Sequence, residues 1–290
     1  MKILLTGTSG QVGFELQRSL QGLGEVVAVD RAQMDLSNLQ QVREVIRAVR
    51  PTLIVNPAAY TAVDQAETER ELAMRINAEA PAIMAAEAKR IDAALVHYST
   101  DYVFDGSKDG AWVETDATGP INVYGASKLA GEQAIIASGV PHLIIRTSWV
   151  YGMRGRNFLL TVLRLAAERD ELRIVGDQFG SPTWSRSIAG TTAQLLARLD
   201  AREGLLEALA GGQGGIYHLS SAGATSWHGF TEQIVGHHSV KKKPQVTAIR
   251  TQDYPLPAPR PRNCVMGGDR LAGLGIHMPD WQTALALCLG

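Results

Sequence analysis

The sequence predicts an α/β protein built on a Rossmann-type, doubly wound parallel sheet, and three observations carry that expectation. Short apolar runs alternate with stretches of helical spacing over the first 150 residues. Runs that apolar must be covered on both faces, as happens in a parallel sheet flanked by crossover helices. A glycine-rich turn stands between the first run and the first helix, where such sheets take up phosphate groups.

In chain order, "KILLT" (2–6) is the first strand, and 11–20 follows as a helix with Val12, Leu16 and Leu20 on one face. "EVVAVD" (25–30) is the second strand and 38–49 the second helix. "TLIVN" (52–56) is the third strand, followed by a long helical stretch over 69–90 that Pro81 interrupts. Strands at 93–99 and 142–147 enclose a helix over 122–138. Beyond residue 150 the order loosens. Helices are expected at 157–169, 186–199, 226–238 and 279–289, and strands at 172–175 and 216–220, the latter after a glycine-rich loop (211–215). "YPLPAPRPR" (254–262) can be neither a central strand nor a helix interior. Residues 1–150 therefore form a dinucleotide-binding domain, which also receives the helix near 186–199. Residues 151–290 form a smaller, less regular portion that binds substrate.

Composition narrows the function. The 290 residues are 45% hydrophobic and 20% charged, with a formal net charge of -1. There is no overall pull toward nucleic acid or anionic membrane, and the longest basic run is Lys241-Lys242-Lys243. Cys264 and Cys288 lie in no metal-ligand spacing and make no disulfide framework. The opening "MKILLTG" is too short an apolar stretch for a signal peptide, and no segment is apolar enough to span a bilayer. A cytoplasmic protein is expected, with no metal, no membrane and no nucleic acid.

"TGTSGQVG" places Gly7, Gly10 and Gly13 at the end of the first strand, where the turn must be tight and a pyrophosphate must approach backbone N–H groups. The spacing is G-x-x-G-x-x-G rather than G-x-G-x-x-G, so position in the fold carries the reading. Asp30 ends the second strand, where a carboxylate accepts from an adenosine ribose; Arg31 beside it suits a 2′-phosphate instead. The two residues pull toward NADH and NADPH respectively, so tolerance of both cofactors is expected, with Asp35 and Leu36 the next candidates for discrimination. "VYGASK" sets Tyr124 and Lys128 one helical turn apart. Alone, that pair reads first as an aromatic packed on a lysine stem and only second as a phenol activated by a cation.

Together with "NPAAYTAVDQAE", "STDYVFDG", "RTSWVYG" and "GDQFGSPT", these stretches resemble the extended short-chain dehydrogenase/reductases, in particular their nucleotide-sugar reductase branch. The likeness runs from Met1 to about Arg262. It implies that Tyr124 is a proton donor and that Lys128 contacts the nicotinamide ribose and lowers the tyrosine pKa. Thr100 would complete the trio, Asp101 and Trp149 would touch the substrate sugar, and Gln11, Val12, Ala59, Tyr60, Thr61 and Tyr98 would line the cofactor. The implied reaction is reduction by NADPH or NADH of the 4-keto group of a dTDP-sugar, dTDP-4-dehydro-L-rhamnose.

Two other readings stand beside it. An epimerase or 4,6-dehydratase of the same fold would keep its cofactor through an internal redox cycle, but a dehydratase's usual Asp-Glu pair is absent, since Tyr102 follows Asp101. A non-catalytic dinucleotide-binding subunit would not need the intact trio. Arg260 and Arg262 are candidates for the diphosphate, or simply solvated loop residues. Some members of the family are similar in dimerising around magnesium held by glutamates. Here Glu15 occupies one such position but Arg186 another, and a guanidinium repels the ion. A monomer or metal-independent homodimer is therefore expected.

Overall fold

A computed structural model describes the backbone of residues 1–290 and every side chain except those at 202 and 203. Six strands make the central sheet: β1 (Lys2–Leu5), β2 (Glu25–Ala28), β3 (Leu53–Asn56), β4 (Ala94–Thr100), β5 (His142–Thr147) and β6 (Gly215–His218). Their order is β6-β5-β4-β3-β1-β2, and every pairing is parallel. The winding reverses at β1, which has β2 on one side and β3 on the other. Such a switch point opens a crevice beyond the carboxyl ends of the strands.

The period-two alternation of each strand distributes its side chains between two cores. The main helices, in chain order, are α1 (Gln11–Ser19), α2 (Leu39–Val49), α3 (Ala80–Arg90), α4 (Val123–Ser138), α5 (Phe158–Glu168), α6 (Ser185–Glu203), α7 (Trp227–Gly236) and α8 (Trp281–Leu289). Ile3 and Leu5 join Leu16 of α1 and Ile188 and Leu195 of α6 on one face of the sheet. Leu4 and Ile54 point the other way, into a core with Val42 and Ile46 of α2, Met84 of α3 and Ile135 of α4. A third core joins α5, α7 and α8 to the strand Glu171–Val175.

Three differences from the sequence reading have physical causes. The helix over 69–90 is not broken at Pro81: a wide π turn, Arg75–Glu79, precedes α3. That widening moves aside the carbonyl a proline ring would strike. The strand Gln245–Ile249, which the sequence reading left unassigned, pairs in parallel with Glu171–Val175. Its "QVTAI" carries β-branched residues but follows a lysine run that masks it. The sixth strand of the central sheet comes from beyond residue 150 and lies on β5, so the two portions share one sheet. α6 packs on α1.

Candidate active site

A cavity of about 880 Å³ opens beyond the ends of β1, β3, β4 and β5. At one end lies the glycine turn. Gly7 has φ +60°, a region side chains avoid, and a Cβ there would meet the Ala58 Cβ at 2.9 Å. A Cβ on Gly13 would fall 2.2 Å from the Gly7 carbonyl oxygen, so α1 can start this close to the turn only with glycine. Gly10 stands before α1 with no side-chain cap, which leaves the first N–H groups of the helix facing the cavity. Gly7, Gly10, Gln11, Val12 and Gly13 all line it, and this cradle fits a dinucleotide's pyrophosphate.

The expected ribose end divides. Arg31, Asp35 and Leu36 line the cavity, but Asp30 does not. The Asp30 carboxylate accepts from the backbone N–H of Ala32 (2.9 Å) and Gln33 (3.3 Å), closing its own turn. Arg31 lies 3.4 Å from Asp35. Burial works against the charged Asp35 carboxylate, but hydrogen bonds from Ser37 and the Arg31 charge outweigh it and hold the carboxyl below its ordinary range. Ala59, Thr61 and Tyr98 also line the cavity, while Tyr60 does not. The Tyr60 hydroxyl donates to Glu69 at 2.7 Å, and burial and that carboxylate push the phenol up to about 12.

At the other end stand the three expected catalytic residues. Thr100 ends β4, and its hydroxyl donates to the Asp101 carboxylate at 2.7 Å. Asn122 caps α4 by accepting from the Gly125 N–H, and this places Tyr124 in the first turn. A Cβ on Gly125 would meet the Tyr102 carbonyl oxygen at 2.1 Å, so glycine lets that turn press against the segment after β4. Burial pushes the Tyr124 phenol up to about 12, the Thr100 hydroxyl lowering it in part and the Asp101 carboxylate raising it. Lys128 is not among the groups that move it. The Lys128 Nζ donates to the Tyr98 carbonyl at 2.6 Å and meets His97 Nε2 at 3.1 Å. Burial pulls this amine down to about 8. Asp101 accepts from Ser148 as well as Thr100, yet burial still pushes its carboxyl up to about 6.

Trp149 lines the cavity rather than joining the core. Its φ of +46° is an outlier for so bulky a residue, and it stacks on Trp227 with ring centroids 3.4 Å apart and planes 6° apart. Gly180 leaves room for it, since a Cβ there would meet the indole at 2.5 Å. Trp227, Arg156, Asn157 and Phe158 line the cavity without having been expected to. Asn157 donates to Gln11 Oε1 at 2.8 Å, tying the second half of the chain to the glycine turn. No local pattern marks such long-range partners. Arg260 and Arg262 stay outside the lining: Arg260 pairs with Asp64 and Arg262 with Asp109, each at 2.9 Å. Arg186 stands 4.0 Å from Glu15 on the outer surface.

One cavity thus runs from a dinucleotide cradle to the trio of Thr100, Tyr124 and Lys128, which is the arrangement of a short-chain dehydrogenase/reductase. The family described as RmlD substrate binding domain matches residues 1–290, and the chain belongs to it. A curated relative, dTDP-4-dehydrorhamnose reductase of Burkholderia thailandensis, is 48% identical over 100% of this chain and 98% of its own. The Escherichia coli (strain K12) protein of the same name is 42% identical over 98% and 96%. Among solved structures, dTDP-4-dehydrorhamnose reductase from Bacillus anthracis in complex with NADP superposes with a TM-score of 0.90. It is 36% identical, covering 99% of this chain and 98% of that one.

Proposed function

We propose that the protein reduces the 4-keto group of dTDP-4-dehydro-L-rhamnose with NADPH to give dTDP-L-rhamnose. The observation that carries this reading is the continuity of the cavity, which brings the glycine cradle and the trio to one space. The names of the full-length relatives supply the sugar. Bound against the cradle, the nicotinamide cofactor supplies the hydride. Gly7, Gly10 and Gly13 let its diphosphate approach the N-terminus of α1, and Arg31 at the rim suits the 2′-phosphate that distinguishes NADPH.

Hydride arriving at the ketone carbon leaves negative charge on oxygen, and a donor already aimed there stabilises the transition state. The Thr100 hydroxyl, turned from Asp101 to the substrate oxygen, would supply a hydrogen bond and Tyr124 the proton. Lys128 would contact the nicotinamide ribose, and its cation would favour release of the phenol proton. Asp101 and the indole of Trp149 hold the sugar. Among the described residues, no helix is long and apolar enough to cross a membrane. The enzyme works in the cytoplasm as a monomer or a metal-independent homodimer.

The test is turnover of purified protein with NADPH and a panel of dTDP-4-keto sugars, followed by loss of the nicotinamide absorbance and identification of the product. NADPH oxidised in proportion to dTDP-L-rhamnose formed is the expected result. Isomerised sugar with no net NADPH consumption would replace the reading with an epimerase, and binding without turnover would replace it with a regulatory subunit.

A further inference from the structure

Behind the trio, four side chains that are at most 1% exposed form an unbroken line. The Thr6 hydroxyl lies 2.6 Å from Asn56 Oδ1, Asn56 Nδ2 lies 3.1 Å from His97 Nδ1, and His97 Nε2 lies 3.1 Å from Lys128 Nζ. The line starts at the residue before Gly7, crosses from β3 to β4 where Asn56 and His97 sit in register, and ends at α4. Thr6, Asn56 and His97 do not line the cavity, so they touch neither cofactor nor substrate.

The chemistry of the donors allows this line only two polarities. A neutral imidazole donates from one nitrogen and accepts at the other, and an amide side chain offers an acceptor on one end and donors on the other. If Lys128 is an ammonium, His97 Nε2 must accept, Nδ1–H must donate to the Asn56 oxygen, and the Asn56 NH₂ must donate to Thr6. If His97 instead carries its proton on Nε2, Lys128 must be a neutral amine that accepts it, Nδ1 accepts from the Asn56 NH₂, and the Thr6 hydroxyl donates to the Asn56 oxygen. A mixed line would set two buried donors or two buried acceptors face to face, which is costly in the interior.

We propose that Thr6, Asn56 and His97 form a positioning device for Lys128 whose hydrogen-bond polarity fixes the charge and direction of the Lys128 amine. The proposal rests on the reductase reading above, in which Lys128 works beside Tyr124. His97 stays neutral, because burial and then the Lys128 charge hold it well below its ordinary value, so the line carries one imidazole proton at a time. The amine, pulled down to about 8, can take either form near neutral pH. The other charged or titratable groups around it are Glu132 on α4, paired with Arg146 of β5, and Asp101 and Tyr124 at the cavity. None of these changes in the variants below.

The test reads Lys128 and His97 directly in the full-length protein by NMR of [¹³Cε]lysine and of the ¹⁵N-histidine tautomers. In Asn56→Asp the ionised carboxylate only accepts, so His97 must carry its proton on Nδ1 and accept from an ammonium. The Lys128 titration is expected to rise by about one pH unit or more. His97→Leu leaves the amine only the Tyr98 carbonyl, and its titration is expected to fall by a similar shift. His97→Gln should restore most of it.

In the two shifting variants the pH profile of kcat should move in the same directions, with kcat at neutral pH falling about tenfold in His97→Leu while the Kd for NADPH changes less than about threefold. A Lys128 titration that stays within about 0.3 unit of the parent in both overturns the proposal, as does a shift of the same sign in both. Should Asn56→Asp not fold, the Leu and Gln variants decide between themselves: equal titrations overturn the proposal. Absence of turnover on every dTDP-sugar would sink the reductase reading while leaving the NMR result legible.

Discussion

At the floor of the cavity Thr100, Asp101 and Lys128 are 5%, 3% and 1% exposed, whereas at the rim the Arg31 side chain is 76% exposed. Both ends are polar, yet they obey different physics. Burial dominates every shift on the floor, moving Asp101 and Tyr124 up and Lys128 down. At the rim solvent screens each interaction, so an ion pair such as Arg31–Asp35 contributes at most about 1 kcal/mol. Chemistry is therefore expected to be sensitive to single atoms on the floor, and cofactor choice to be set by modest, additive contacts at the rim.

The largest effect should come from Tyr124→Phe, which keeps the ring and removes the proton. Turnover is expected to fall by about 10² or more with the NADPH Kd nearly unchanged. Wild-type turnover would break the contrast at its centre. Next is Asp101→Asn. Because the folded protein holds the Asp101 carboxyl up at about 6, above an unfolded value of 3.8, its contribution is fully present below pH 3.8 and is lost as pH rises through 6.

The parent protein should accordingly lose on the order of 1–3 kcal/mol of stability from this group between about pH 4 and 7. Asp101→Asn should flatten that slope in urea unfolding, and an identical slope would show that Asp101 does not feel its burial. At the rim, Arg31→Ala should lower the preference for NADPH over NADH by about tenfold or less in the ratio of kcat/KM values. Asp30→Ala should change that ratio by less than about twofold, since its carboxylate closes a backbone turn.

The smallest effect lies on the outer surface, where Glu15 and Arg186 stand 4.0 Å apart. Assembly and turnover should be indifferent to EDTA, checked by light scattering and rate with and without chelator. A dimer that dissociates on chelation would show that Arg186 does not exclude a metal.

The contrast also explains what could be read from sequence. The glycine turn, the strand runs and the Tyr124–Lys128 spacing are local, and the fold uses them locally. Asp30 ends the second strand as read, but the N–H groups of Ala32 and Gln33 that its carboxylate also accepts from carry no mark in the sequence. Lys128 looked aimed at Tyr124 because the two share a helix turn, yet its Nζ is held by Tyr98 and His97 from a neighbouring strand. Trp227 and Asn157 had no signal at all, because their cavity partners, Trp149 and Gln11, lie far away in sequence. Periodicity and turn chemistry describe one segment at a time, whereas the floor is assembled from several.

The Trp149–Trp227 stack has an optical consequence. Two indoles held nearly parallel at 3.4 Å share their electronic transitions. The pair should give a coupled band in circular dichroism that Trp227→Phe abolishes. A sugar entering against the Trp149 face would change that band directly, so the protein carries a label-free gauge of occupancy in the wall of its own cavity.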